Sequence, residues 1–384
     1  MTRTVCGQVA IVDDGGVPTA VYTGVHPEVQ CIATSKDMLT WQKPPENPVI
    51  AAPPPGLQVT GFRDPYVWRS RDWWYAVVGS GIKEVGGTIL LYRSKDLRRW
   101  EYLEPALVGK KEETGEMWEC PNLFPLGRKW VLWTSPVPLR RVIHFVGTFR
   151  KHRFTPEYQG EMDLGGGFYA PQGFRDAKGR HILFGWLWET RSERMSVEAG
   201  WAGVQSLPRQ VTLSREGRLL FQPVAELRRL RRDHYRLKAQ TLRPGEETPV
   251  GGLVGDRWEL IVEMCPQDAE QCGIRLYHTG DEGQVTSIFF RSERQMVIDR
   301  TYSSRYEEAT RDVRSALLAL REEELSRLHL YVDRSVIELY ANGHLCLTSR
   351  VYPQGMGSYQ PRLFAEGGTV RLRRVEGWTL DTIW

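Results

Sequence analysis

"CIATSKDMLTWQ" at residues 31–42 returns as "LYRSKDLRRWE" at residues 91–101. Both carry Ser-Lys-Asp, three further residues and a Trp, and the offset between them is 59 residues (94 − 35). A period of roughly 50 to 60 residues built from short strands is the signature of β-propeller blades. A second pattern interleaves with the first: a short strand, a polar turn, then a strand rich in aromatic or β-branched residues. It occurs at residues 7–24, with Asp13-Asp14-Gly15-Gly16 as the turn, and again at 63–80, 119–135 and 170–186. Each pair of strands is bounded by Gly, Pro or Asp, as hairpins are. Four copies predict four blades. Inner strands of a propeller line a central channel, and Asp64-Pro65 and Cys120-Pro121 sit at equivalent points of two copies. Asp64 and Glu119, 55 residues apart (119 − 64), are therefore expected to approach one end of that channel together.

Beyond "SLPRQVTL" the pattern changes. Residues 226–250 open on a basic stretch with few strand signals and read as a solvated linker. Strands return with "RWELIVEM", which places Trp258, Leu260, Val262 and Met264 on one face. "LHLYVDRSVIELYANGHLCLTS" reads as three strands with turns at Asp333-Arg334-Ser335 and Asn342-Gly343, the latter a strong hairpin signal. "SALLALREEEL" (315–325) looks helical locally and is read as a loop or short helix within the same domain. The expected fold is all-β: a β-propeller over 1–225, a linker over 226–250 and a C-terminal β-sandwich over 251–384.

Composition sets outer limits. The 384 residues are 41% hydrophobic and 26% charged, as in a globular protein, and the net charge of +4 gives no reason to expect a nucleic-acid partner. Six cysteines form no C-x-x-C pair and no Cys/His zinc spacing, so reduced, mostly buried thiols and no metal are expected. The chain shows no signal-peptide pattern and no run of eighteen apolar residues; a cytoplasmic location and no membrane partner are the resulting expectations. Fourteen Trp and fifteen Tyr fit a β-rich chain and supply faces for sugar rings.

"EMWECPNLF" (116–124) carries the chemistry. Glu119 stands between a Trp and a Cys and is followed by a Pro. A carboxyl in apolar company is expected to resist ionisation, which suits a general acid. Taken with "GFRDPYVW", "FYAPQGF", "GWAGVQSLPRQ" and "LHLYVDRSVIELYANG", this segment resembles glycoside hydrolase family 32, the β-fructofuranosidases: invertases, inulinases, levanases and related fructosyltransferases. The resemblance runs from about residue 5 to the C-terminus. It implies a five-bladed propeller followed by a sandwich, so four copies are one short. It also implies that Glu119 is the acid/base with Cys120 as its modulating neighbour, and that Asp64 holds fructose hydroxyls. Arg63 would tether the carboxylates or the sugar, while Tyr169 and Trp186 line the pocket. No cofactor is implied.

The retaining reaction also needs a nucleophilic carboxylate, which in the family belongs to an Asn-Asp-Pro-Asn-Gly stretch of the first blade. No Asn-Asp-Pro occurs in the 384 residues. Three explanations stand open: a start upstream of Met1, a shortened gene, or another carboxylate in the role. Asp13 and Asp14 are the nearest substitutes, though "DDGG" reads as a turn. Smaller departures are Cys6-Gly7 for Ser-Gly, Gly167 for Asp, and Asn122 for Asp. The sequence therefore predicts a hydrolase releasing terminal β-D-fructofuranosyl units from sucrose or fructans. Fructosyl transfer and non-catalytic carbohydrate binding are the alternatives, with self-association through an open propeller edge.

Overall fold

The structure, a computed structural model, describes residues 5–278, 283–291, 294–318, 326–355 and 359–383. The first sheet runs β1 (Val5–Val12), β2 (Pro18–Gly24), β3 (Val29–Ser35), β4 (Trp41–Gln42), in chain order and antiparallel. The second repeats this with β5 (Val59–Ser70), β6 (Trp73–Ile82), β7 (Gly86–Ser94), β8 (Trp100–Val108). The third has β9 (Met117–Leu126), β10 (Lys129–Val137), β11 (Ile143–Arg150), β12 (Arg153–Glu161). The fourth orders β13 (Phe168–Arg175), β14 (His181–Leu187), β16 (Arg209–Leu213) and β17 (Leu219–Pro223), with β15 (Val204–Gln205) beside β14. Four-stranded antiparallel meanders are propeller blades, and the four sheets match the four copies read in the sequence.

The repeat that marks them is a turn. In the first sheet Asp37 Oδ1 accepts from the backbone N–H of Leu39 (2.9 Å) and Thr40 (2.7 Å), and Met38 is left-handed (φ 61). In the second, Asp96 Oδ1 accepts from Arg98 (2.9 Å) and Arg99 (2.8 Å), and Leu97 is left-handed (φ 63). Trp41 and Trp100 then open the fourth strand of each sheet. An Asp side chain that mimics a backbone turn is why the motif recurs. Middle strands such as β6 and β7 are buried almost throughout, so they read as apolar runs and not as alternations.

The second part is a sandwich of two sheets. One orders β18 (Arg231–Leu237), β30 (Val370–Leu380), β21 (Arg257–Pro266), β26 (Ser326–Asp333), β27 (Val336–Ala341), β28 (Leu345–Arg350), with β19 (Gln240–Leu242) beside β30. The other orders β20 (Glu247–Pro249), β29 (Arg362–Glu366), β22 (Gln271–Leu276), β23 (Val285–Arg291), β24 (Gln295–Tyr302), β25 (Val313–Leu317). Trp258, Leu260, Val262 and Met264 share one buried core with Ile274, Ile288, Ile298 and Leu363. Asn342 (φ 52) and Gly343 (φ 73) are both left-handed, as the hairpin reading requires.

Two local readings change. The segment expected as a linker carries a 3-10 turn (Ala225–Leu230) and β18, β19 and β20. Its charges sit on an edge strand with solvent on one side, where polar residues are tolerated. The helical-looking segment contributes its first residues to strand β25, because pairing with β24 outweighs local propensity; residues 319–325 lie outside the described chain.

By compactness the chain forms two units. One comprises Met1–Met162, Tyr169–Leu183 and Thr212–Leu219; the other comprises Asp163–Phe168, Phe184–Val211 and Leu220–Trp384. No described helix is long and apolar enough to cross a membrane.

Candidate active site

Three inner strands of the first unit share one local signature. Arg63-Asp64-Pro65 on β5, Glu119-Cys120-Pro121 on β9 and Tyr169-Ala170-Pro171 on β13 each place a left-handed residue before Pro, with φ of 62, 48 and 47. The β5–β6 register shifts between Arg63 and Tyr66, and the β9–β10 register shifts opposite Glu119. A bulge of this kind re-aims side chains that a regular strand would send elsewhere. Asp64-Pro65 and Cys120-Pro121 were legible as equivalents; Ala170-Pro171 was not, because alanine carries no chemistry to notice.

These strands bring Arg63, Asp64, Glu119 and Tyr169 together. Arg63 donates to Glu119 Oε1 through Nε (3.1 Å) and Nη2 (2.8 Å). The Tyr169 hydroxyl donates to Glu119 Oε2 (2.8 Å). Asp64 Oδ2 accepts from the Cys120 backbone N–H (2.9 Å) and thiol (3.5 Å). Asp64 Oδ1 is buried and meets no donor among the described residues. Close approach of the sheets depends on Gly79, where a Cβ would lie 2.3 Å from the Trp118 carbonyl oxygen.

The apolar company expected for Glu119 is absent. Neighbouring residues of a strand face opposite ways, and Trp118 turns into the core, fully buried, with its indole N–H donating to the Thr114 carbonyl (2.8 Å). The Glu119 carboxylate meets a guanidinium and a phenol instead, and its side chain keeps 22% exposure, enough for a ligand to reach it.

The electrostatics are those of a partly desolvated cluster. Burial raises the Asp64 carboxyl above the usual aspartate range; the Cys120 N–H opposes this, and Glu119 adds to it. Burial, then the charges of Asp64 and Glu119, push the Cys120 thiol well up, so it stays protonated and donates. Burial and Glu119 raise Tyr169. Burial works against the Arg63 cation, but Glu119 and Glu28 more than compensate. Tyr169 has a second acceptor, the Ser135 carbonyl at 3.2 Å. Its single hydroxyl hydrogen can therefore serve Glu119 when that group is ionised and turn to Ser135 when it is protonated.

Other candidates fall elsewhere. Asp13 accepts from the N–H of Gly15 (2.9 Å) and Val17 (2.8 Å) within its turn, and Asp14 pairs with Arg69 (3.0 Å). Arg69 is six residues along β5 from Arg63, roughly 20 Å at strand rise, so neither Asp reaches the cluster. Trp186 belongs to the second unit, 49% exposed and edge-on to Trp188. Asn122 is buried and accepts from Gly173 N–H (2.9 Å). Sequence reasoning missed Glu28, Thr23 and Gln30, which back the Phe62–Asp64 segment from the first sheet. Among the described residues no group of three or more His, Cys, Asp or Glu converges as a metal site.

Residues 4–223 match the glycosyl hydrolases family 32 N-terminal domain, and residues 226–379 match the glycosyl hydrolases family 32 C-terminal domain. The chain belongs to glycosyl hydrolase family 32. Relatives of this family 32 chain include the sucrose-6-phosphate hydrolase of Zymomonas mobilis, 32% identical over 99% of this chain and 79% of that protein. The raffinose invertase of Escherichia coli is also 32% identical, over 98% of this chain and 80% of its own length. Among solved structures, fructan 1-exohydrolase IIa of Cichorium intybus superposes with a TM-score of 0.90 at 25% identity, covering 98% of this chain and 84% of the other. Family and fold agree with the sequence reading: propeller blades followed by a sandwich.

Proposed function

We propose that this family 32 chain acts on terminal β-D-fructofuranosyl units of sucrose or fructans, with Glu119 as acid/base and Asp64 as the group that holds the ring hydroxyls. The observation that carries this reading is the Arg63–Glu119–Tyr169 hydrogen-bonded set beside Asp64, on three strands that each carry a left-handed residue before Pro. Glu119 protonates the departing glycosidic oxygen and later takes the proton of the attacking water. Arg63 and Tyr169 hold its two oxygens in one orientation, so little reorganisation accompanies the transfer. Asp64, desolvated and with one oxygen unpartnered, gains from a sugar hydroxyl, and the gain grows as the ring takes on positive charge. The activities named for the relatives, on sucrose 6-phosphate, raffinose and fructan, support this substrate class.

One observation favours a second reading, fructosyl binding without turnover. No Asn-Asp-Pro occurs in these residues, and both oxygens of Glu28 already accept hydrogen bonds. Fructose release from sucrose and inulin, with Glu119→Gln as control, separates the two. Release that vanishes in the variant supports hydrolysis. No release from the unaltered chain removes hydrolysis and leaves binding.

A further inference from the structure

Arg63 serves two carboxylates, and only one has a role so far. Its Nη1 donates to Glu28 Oε1 at 2.7 Å, while Nε and Nη2 point to Glu119. Glu28 is itself fixed: its Oε2 accepts the backbone N–H of Phe62 at 2.6 Å, the residue just before Arg63. The same hairpin of the first sheet grips this segment twice more. Gln30 Nε2 donates to the Phe62 carbonyl (2.8 Å), and Thr23 Oγ1 accepts the Asp64 N–H (2.9 Å).

We propose that Glu28 is a positioning residue for the acid/base: it locks the Arg63 guanidinium in the plane that presents two N–H groups to Glu119 Oε1. The proposal rests on the hydrolase reading. An arginine has five donors on a long, mobile stem, and this one keeps 21% exposure. With a single carboxylate partner it is free to swing toward solvent. With Glu28 on Nη1, the remaining edge faces Glu119. Glu28 also shares the cation. The charged and titratable groups around Arg63 are Glu28 from the first sheet, Asp64 from its own strand, Glu119 and Cys120 from the third sheet and Tyr169 from the fourth.

The test compares the unaltered chain with Glu28→Gln and Glu28→Asp, after thermal melts show each is folded. In Glu28→Gln, kcat falls about tenfold while KM moves less than threefold. Glu28→Asp, which keeps a carboxylate acceptor, loses less of kcat than Glu28→Gln. A second readout needs no turnover: the Arg63 Nε–H resonance, assigned through its perturbation in Glu119→Gln, is protected from exchange in the unaltered chain and loses protection in Glu28→Gln. Unchanged kcat and Arg63 protection in Glu28→Gln would overturn the proposal. If the unaltered chain releases no fructose, the hydrolase reading fails, while the Arg63 resonance still decides whether Glu28 holds the guanidinium.

Discussion

Asp64 sits where its own charge is disfavoured, and that has a measurable price in stability. Its folded-state pKa is raised, chiefly by burial, while the unfolded chain keeps the usual aspartate value. Between those two values the folded state holds the proton more tightly, so stability falls as pH rises through that window and the loss persists at neutral pH. Asp64→Asn is therefore expected to stabilise the fold at pH 7, seen as a higher Tm, and the gain disappears in acid where the Asp64 carboxyl is protonated in both states. Melts of both proteins across pH 3–8 check this, and a lower Tm at pH 7 would count against it. Such a gain with loss of function marks residues kept for chemistry. At this scale the sequence was most legible where a residue's neighbours made a motif: Asp64 and Glu119 were read as neighbours from their matching Pro positions, and they lie in one cluster with Arg63 and Tyr169. Glu28 was not legible. Its partner lies 35 residues on, and nothing in "HPEVQ" distinguishes it from a solvated glutamate.

Elements position the site through backbone contacts that side-chain patterns do not report. Gly79 on β6 lies under β9, where a methyl would meet the Trp118 carbonyl at 2.3 Å, the Arg63 carbonyl at 3.0 Å and Pro121 Cδ at 3.1 Å. Gly79→Ala has to push the two strands apart and is expected to cost ~1–3 kcal/mol, seen as a lower urea midpoint with unchanged m. The same displacement separates Asp64 from the Cys120 N–H, so sugar affinity falls with it; a variant as stable and as tight-binding as the original would show that the strands have slack. Hairpins and the Ser-Lys-Asp turn were readable because Asp, Gly and Asn name their conformation. The bulges were half readable, since a left-handed Asp, Cys or Ala has no such signature. Strand β25 and the strands within 226–250 were not readable, because partners distant in sequence decide them.

Across the whole molecule, buried charge is concentrated in the second unit. Arg209 is fully buried and donates to Asp163 (2.9 Å), Glu338 (2.8 Å) and Thr348 Oγ1 (2.6 Å). Three segments far apart in sequence meet at this one cation. Arg209→Ala leaves two carboxylates buried without it and is expected to cost ~3–5 kcal/mol, read as a drop in the urea midpoint of sandwich fluorescence. Glu259 gives the pH dependence. Burial would raise its pKa, but Arg231 and His329 outweigh burial and hold it at about 2. A lowered folded pKa stabilises above the unfolded value and is lost as pH falls toward 2. Glu259→Gln is thus expected to melt lower than the original at pH 7, with the two curves converging in acid; a constant gap would contradict the linkage. The central claim is that Arg63, Asp64, Glu119 and Tyr169 form a fructofuranosyl site, and its most direct measurement is the calorimetric affinity for sucrose of a Glu119→Gln background. Adding Asp64→Asn is predicted to weaken binding at least tenfold while Asp14→Asn changes nothing; equal affinity in all three would contradict the site.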